Sequence, residues 1–109
     1  MTTITVGAYY YPGWHPCPVR DVAFPKGWSE WDLLKNCASR FEGHDQPKVP
    51  LWGYENEADP KVFDKKLQAA QAYGIDFFVF ANYWSRGKRL LEGALDRGFM
   101  PAKARGNTR

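Results

Sequence analysis

The sequence predicts an α/β protein whose centre is a parallel strand–helix–strand unit. Residues 4–11 (ITVGAYYY) and residues 75–81 (IDFFVFA) are runs of β-branched and aromatic residues, which are typical of strands. The second run is apolar on both faces, as in a central parallel strand covered by helices. Asp59-Pro60 predicts a helix start between the two strands, and Gly74 predicts its end. This order of elements favours a right-handed parallel crossover.

The segment 12–58 is predicted to be one long loop that carries a short helix. Four prolines fall within residues 12–27 and exclude regular structure there. Ser29 followed by Asp32 fits a capping box and predicts a helix over about 29–38. In barrel enzymes, long loops that follow the carboxyl end of a strand build the active site. We therefore interpret 12–58 as a loop of the active-site type.

The chain after the second strand is predicted to form a last short helix over about 88–97. Its leucines and Ala94 would face inward, Gly98 would end it, and residues 101–109 would form a loop. Two parallel strands do not make a stable sheet alone, so we expect this β–α–β–α pattern to be the opening of a larger sheet.

Length and composition fit one domain over residues 1–109. A hydrophobic content of 44% with 18 aromatic residues excludes a disordered chain. No apolar run is long enough to span a bilayer, and the N-terminus shows no secretory signal, so we expect a soluble, cytoplasmic protein. Cys17 and Cys37 have neither metal-binding nor CxxC spacing and are expected to be reduced thiols.

The net charge of +3 is concentrated near the carboxyl end. Residues 1–85 carry 8 Lys or Arg against 10 Asp or Glu, whereas residues 86–109 carry 7 against 2. A basic tail can bind nucleic acid, but this one has no run of four basic residues. We therefore expect a solvated basic surface and regard nucleic acid as an unlikely partner.

Polar and aromatic side chains follow the carboxyl ends of both predicted strands, which lie at one mouth of a parallel unit. They are Tyr10, Tyr11, Trp14, His15, Trp28, Glu30, Trp31, His44, Asp45 and Gln46 after the first strand, and Asn82, Tyr83, Trp84, Arg86 and Lys88 after the second. Aromatic rings mixed with amides, imidazoles and a carboxylate suit sugars, which offer C–H faces and directional hydroxyl groups. A sugar-binding surface is therefore the function that these residues favour.

Each of these residues also has a structural explanation. Glu30 at a helix start complements the helix dipole, and His15 beside two prolines can simply bond a loop carbonyl. Trp31 and Trp84 can be packed rather than bound to ligand. His44 and Asp45 lack further ligands for a metal site, and no GxSxG, P-loop or GxGxxG motif supports acyl transfer, nucleotide hydrolysis or dinucleotide chemistry. No metal or other cofactor is predicted.

Several ordered motifs resemble one family. They are AYYYPGWHP (8–16), GWSEW (27–31), F-x-GH-x-QP (41–47), YGIDFFVF (73–80), YW (83–84) and G-x-RLLE (87–92). Over residues 6–100 the chain is similar to the N-terminal part of the WbsX-type, glycoside hydrolase family 99-like proteins, which occur near bacterial polysaccharide and O-antigen loci.

The resemblance implies a (β/α)₈ TIM barrel that acts on the glycosidic linkages of polysaccharide by hydrolysis or by glycosyl transfer. It implies that the sugar is bound by residues at the family's shared positions: Tyr11, His15, Glu30, Trp31, His44, Gln46, Tyr83 and Trp84. A barrel needs roughly 250 residues, so we expect this chain to be a truncated N-terminal portion, inactive as a fragment, with the catalytic carboxylates beyond residue 109. The alternative interpretation is a non-catalytic carbohydrate-binding module.

Overall fold

A computed structural model describes residues 3–109; Met1 and Thr2, at the start of the stretch that shows no secretory signal, lie outside the described residues. The regular elements, in chain order, are β1 (Gly7–Tyr10), α1 (Glu30–Lys35), α2 (Pro60–Ala72), β2 (Phe77–Phe80), β3 (Tyr83–Ser85) and β4 (Lys88–Leu90). Three further helical segments accompany them: 3₁₀ turns at Pro18–Val22 and Lys103–Arg105, and a π-helical turn at Ala94–Phe99. The turn at Pro18–Val22 corrects the prediction that the prolines exclude regular structure from 12–27, because proline is compatible with the first position of a helical turn.

The two predicted strands pair in parallel, which confirms the strand–helix–strand order. β1 and β2 are in register from Gly7 opposite Phe77 to Tyr10 opposite Phe80. Ala81 extends the ladder, because its N–H donates to the Tyr10 carbonyl at 3.1 Å. Both strands are shorter than the sequence pattern predicts.

The helix α2 begins and ends where the sequence predicts. The Asp59 carboxylate accepts a hydrogen bond from the Lys61 N–H at 2.9 Å, and Pro60 opens the helix. Gly74 follows the last turn at a φ of 81°. Glycine adopts this left-handed conformation without a steric clash because it has no Cβ atom. Phe63 and Leu67, four residues apart, bury the inner face of the helix completely.

The hydrophobic core lies between α2, one face of the β1–β2 sheet and the chain from residue 94 onward. Its buried members are Phe63, Leu67, Ala94, Phe99 and Ala102, and its partly buried members include Tyr10, Phe78 and Phe80. Residues 101–109, predicted to be a loop, contain the turn at Lys103–Arg105 and bury Ala102 and Thr108. The main-chain N–H of Ala104 donates to the Asp64 carboxylate on α2 at 2.8 Å, which holds this segment on the helix.

The helix predicted over 88–97 is wrong at both ends. Lys88–Leu90 forms β4, which pairs antiparallel with β3 around the two-residue turn Arg86-Gly87. The helical turn starts only at Ala94, and Gly98 lies inside it rather than ending it. A side chain at Gly98 would collide with the Phe63 ring and the Glu57 carbonyl, so the glycine permits close packing at this position.

The sheet is covered on one face only within residues 3–109. Tyr9 and Val79, on the face away from α2, are 92% and 43% exposed. The covering of β2 on both faces, which its apolar sequence predicts, is therefore found for one face. The described residues form two separate two-stranded sheets and no closed barrel.

Candidate functional site

A cluster of three polar side chains lies beyond the carboxyl end of β1. The Tyr11 hydroxyl donates to Glu30 Oε1 at 2.9 Å, and Arg20 Nη1 donates to the same oxygen at 2.8 Å. The Arg20 and Glu30 side chains are only 16% and 12% exposed. We call Tyr11, Arg20 and Glu30 the Glu30 cluster. The shielding of Arg20 and Glu30 from water strengthens their charge-assisted bond, whereas Tyr11 is 43% exposed.

The turn after β1 brings α1 to this position. The Glu30 N–H donates to the Gly13 carbonyl at 3.3 Å, and the Asp32 carboxylate accepts from the Ser29 N–H at 2.9 Å in the predicted capping box. A Cβ atom at Gly13 would lie 2.6 Å from the Glu30 Cγ and would also collide with the Tyr11 ring. Glycine at this position therefore allows Tyr11 and Glu30 to meet.

Both hydrogen-bond donors to Glu30 are maintained by their surroundings. Burial, together with the hydrogen bond to Glu30, raises the pKa of Tyr11 to about 12, so the phenol remains a donor at neutral pH. The Arg20 guanidinium lies over the Trp28 ring at 4.4 Å and the Phe24 ring at 5.0 Å, so aromatic faces as well as Glu30 hold it in place.

Aromatic rings from both strand ends surround the cluster. Trp14 and Tyr83 pack edge-to-face on Tyr11, with ring centroids 6.4 and 6.2 Å away. Trp31 packs against Trp14 at 4.2 Å and donates its indole N–H to the Glu55 carbonyl at 2.8 Å. The structure therefore brings together Tyr11, Glu30 and Tyr83, and joins Trp31 to them through Trp14.

Three of the residues implied by the family resemblance lie elsewhere. His44 stacks on Phe41 with ring centroids 4.6 Å apart, and the Gln46 carbonyl accepts from the Ser39 hydroxyl at 3.3 Å, both within their own loop. Trp84 is 68% exposed and belongs to the opposite face of the hairpin from Tyr83. Among the residues described, none of the three forms a hydrogen bond or ring contact with the Glu30 cluster.

His15 is buried beneath the loop rather than exposed in a cleft. It is 1% exposed, and its Nδ1 has no hydrogen-bond partner within the described chain. Burial and the positive charge of Arg97 lower the pKa of His15, so the ring is neutral at pH 7. The Oε2 atom of Glu92 is likewise buried without a partner in this part of the structure. A side chain at Gly93 would collide with the His15 ring.

Sequence reasoning missed a second polar group, which lies beneath the site. The Glu57 carboxylate is 1% exposed and accepts hydrogen bonds from the Tyr10 hydroxyl and the Lys66 ammonium group. Burial raises the pKa of Glu57, an effect that Lys66 opposes, and burial and Glu57 together raise the pKa of Tyr10. Tyr10 and Lys66 are 47 and 9 positions from Glu57 in the sequence, so no local motif signals these contacts.

The site can orient a polyhydroxyl ligand. Arg20 offers its remaining N–H donors, the Glu30 carboxylate and the Tyr11 hydroxyl oxygen offer acceptors, because the only Tyr11 hydroxyl hydrogen is donated to Glu30, and the rings offer faces for C–H groups. The cluster contains one carboxylate, whereas glycosidases usually place two on either side of the bond that they cleave. Residues 3–109 contain no group of three or more His, Cys, Asp or Glu side chains arranged to bind a metal ion.

The chain matches one protein-family model and two known proteins. A family model described as glycosyltransferase WbsX matches residues 6–104. Two uncharacterized proteins called WxcX, from two strains of Xanthomonas campestris pv. campestris, are each 39% identical over 89 residues. The aligned region covers 81% of this chain but 13% of each WxcX protein. No solved structure is significantly similar. In the described part of the chain, no helix has the length and apolar character needed to cross a membrane.

Proposed function

We propose a sugar-binding function for this chain, which belongs to the WbsX glycosyltransferase family. The observation that carries the proposal is the convergence of donors on Glu30 Oε1 beside rings from both strand ends. Tyr11 and Glu30 orient the ligand's hydroxyl groups, and Trp14 and Tyr83 contact its C–H faces. The family name gives a carbohydrate-related function, and the residues that bind the sugar are our proposal.

The reaction that we propose for the whole protein is cleavage or transfer of a glycosyl group on a polysaccharide, in the cytoplasm. The Glu30 carboxylate is held by Arg20 and Tyr11, so we assign it to binding. The acid and base for the chemistry would come from carboxylates on other strands of a (β/α)₈ barrel. This chain spans 13% of the length of its WxcX relatives, which leaves ample sequence for such strands.

Two features of the sheet support the barrel proposal. Tyr9 and Val79 leave the face away from α2 open, and in a barrel that face would be covered by inward-pointing residues of other strands. The Phe78 N–H donates to the main-chain oxygen of Arg109 at 2.8 Å. Along a strand, successive main-chain N–H groups point to opposite edges. The Ala81 N–H points to β1, so the Phe78 N–H, three residues earlier, points to the other edge of β2, where a next strand would pair.

The test is a calorimetric titration of the chain with neutral mannose and glucose oligosaccharides. We expect Glu30→Gln to weaken binding about tenfold, because a charged acceptor is replaced by a neutral one. Glu42→Gln, at an exposed position of the same loop, is the matched control and should leave binding unchanged. Equal affinity of wild type and Glu30→Gln would contradict the assignment, as would a wild-type chain that binds no oligosaccharide.

A non-catalytic carbohydrate-binding module is the second candidate. It is favoured by the fully buried Phe63 and Leu67, which give residues 3–109 a hydrophobic core of their own. A thermal melt followed by near-ultraviolet circular dichroism separates the two, since five tryptophans report tertiary packing. A cooperative transition supports the module, whereas a featureless spectrum supports a barrel portion that needs further strands.

A further inference from the structure

A groove of about 680 Å³ lies between the 3₁₀ turn at Pro18–Val22 and the β3–β4 hairpin. Its volume falls within the range of small-molecule sites. The wall formed by the 3₁₀ turn and the residues after it is apolar except for Arg20 and includes Val22 and Phe24. The hairpin wall carries Arg86, Lys88 and Leu90.

The uncompensated charge of this groove is positive. Arg20 is neutralised by Glu30, and Arg89, on the opposite face of the hairpin, is neutralised by Asp96 at 2.6 Å. Arg86 and Lys88 form no salt bridge with any residue from 3 to 109. No acidic residue lines the groove. It is therefore electrostatically complementary to an anion.

Arg86 is held in an unfavourable backbone conformation. The hairpin turn has φ values of 50° at Arg86 and 76° at Gly87, as in a type I′ turn, whose first position favours asparagine or glycine. A long side chain at positive φ costs conformational energy, and such residues concentrate at functional sites. The turn places a guanidinium group in the groove where an uncharged asparagine would fit the backbone better.

The groove continues from the Glu30 cluster. Arg20 bonds Glu30 and also lines the groove. Tyr83, whose ring contacts Tyr11, is paired with Leu90, and side chains alternate along strands, so Tyr83 shares its face of the hairpin with Leu90 and Lys88. A ligand bound at the cluster would therefore extend toward Arg86.

We propose that this groove binds an anionic group, a carboxylate or a phosphate, carried by the carbohydrate ligand. The inference rests on the proposed sugar-binding function and adds the substrate class to it. Arg86 and Lys88 bind the anion, and Val22, Phe24 and Leu90 contact the C–H surface of the sugar that carries it.

The test compares Arg86→Asn with wild type in calorimetric titrations. The ligands are an oligogalacturonate, glucose 1-phosphate, inorganic phosphate alone, and a neutral hexose oligomer. We expect Arg86→Asn to weaken the anionic sugars about tenfold, the usual effect of losing one charge-assisted hydrogen bond, and to leave the neutral oligomer unchanged. Because asparagine suits the turn, the variant should unfold at the same temperature as wild type or higher. Lys61→Gln, which removes one exposed charge on α2, is the control.

The ligand whose affinity falls in Arg86→Asn identifies the anion. If oligogalacturonate alone responds to the substitution, the anion is a carboxylate, and if glucose 1-phosphate alone responds, it is a phosphate. If wild type binds neutral and anionic sugars equally, the anionic subsite is overturned while sugar binding stands. Binding of inorganic phosphate as tight as that of glucose 1-phosphate, or an equal effect of Lys61→Gln, would also overturn it. Absence of all binding would overturn both proposals.

Discussion

The half of the molecule around α2 and the loop over residues 11–58 are held together by different forces. Around α2, Phe63 and Leu67 are fully buried, and Phe63 contacts the rings of Tyr10, Phe80 and Phe99. In the loop, α1 buries no residue completely, and its position depends on hydrogen bonds and ring contacts. Burial of apolar area therefore places the strands, whereas directional bonds place the side chains at their ends.

The largest effect should come from emptying the core. We expect Phe63→Ala to reduce the free energy of unfolding by about 3–5 kcal/mol, because a fully buried ring leaves a cavity. Urea denaturation followed by tryptophan fluorescence measures it. Phe41→Ala, at a loop ring that is 68% exposed, should cost about 0.5 kcal/mol or less. Similar losses in the two variants would remove the distinction between the two regions.

Crowding the loop should have a smaller effect and a different signature. In Gly13→Ala the new Cβ would force Glu30 away from Tyr11, with an overpacking cost of about 1–3 kcal/mol. The pKa of Tyr11 should then fall from about 12 toward its ordinary value, because the phenol loses its bond to Glu30. An ultraviolet titration, with Tyr11→Phe to identify the signal, follows this change. An unchanged titration would show that the loop adapts without breaking the bond.

The helix α2 and the β3–β4 hairpin differ in how far the local sequence predicts them. Local signals specify α2, since Asp59, Pro60 and Gly74 are adjacent to the ends that they set. The hairpin was missed because Arg86-Gly87 is not a typical type I′ turn sequence, and Leu90 also fits a helical pattern. A conformation that the local sequence disfavours can be recognised only when the surrounding structure is seen.

Acid should destabilise the contact between the loop and the chain near residue 93. The pKa of His15 is lowered in the fold, so its stabilising contribution is complete above the ordinary value of about 6.5 and decreases as the pH falls below it. We expect a decrease of at most about 1.4 kcal/mol per pH unit in wild type, relative to His15→Gln. Unfolding free energies between pH 5.5 and 7.5 test this. Parallel pH profiles would contradict it.

The smallest expected effect concerns one helix end. Asp59→Ala should cost about 1 kcal/mol, because the Lys61 N–H loses its acceptor at the start of α2. Sugar affinity should stay unchanged, since Asp59 belongs to the scaffold. Denaturation and titration of the same sample give both numbers. An unchanged free energy of unfolding in this variant would contradict the role of Asp59 as the N-cap of α2. Weaker sugar binding would show that the region around α2 and the loop are energetically coupled.

The candidate site was predicted in part. Placing Tyr11 and Tyr83 at one mouth needs only the parallel order of the strands, which the sequence supplies. Glu57 gave no such signal, because its partners Tyr10 and Lys66 become neighbours only when β1 packs on α2. His15 is buried by the turn around Gly93, a tertiary contact that its neighbouring prolines do not indicate.

The reactivities of the two cysteines can report on opening of the loop over residues 11–58. Cys37 is exposed, whereas Cys17 is 3% exposed and its Sγ accepts from the Leu91 N–H at 3.5 Å. A thiol reagent should therefore modify Cys37 at once and Cys17 only when the loop lifts from the chain near residue 91. The ratio of the Cys17 labelling rate to the Cys37 labelling rate reports how often the loop separates from the chain near residue 91. A ligand that contacts both the loop and that part of the chain should slow the labelling of Cys17 and leave that of Cys37 unchanged.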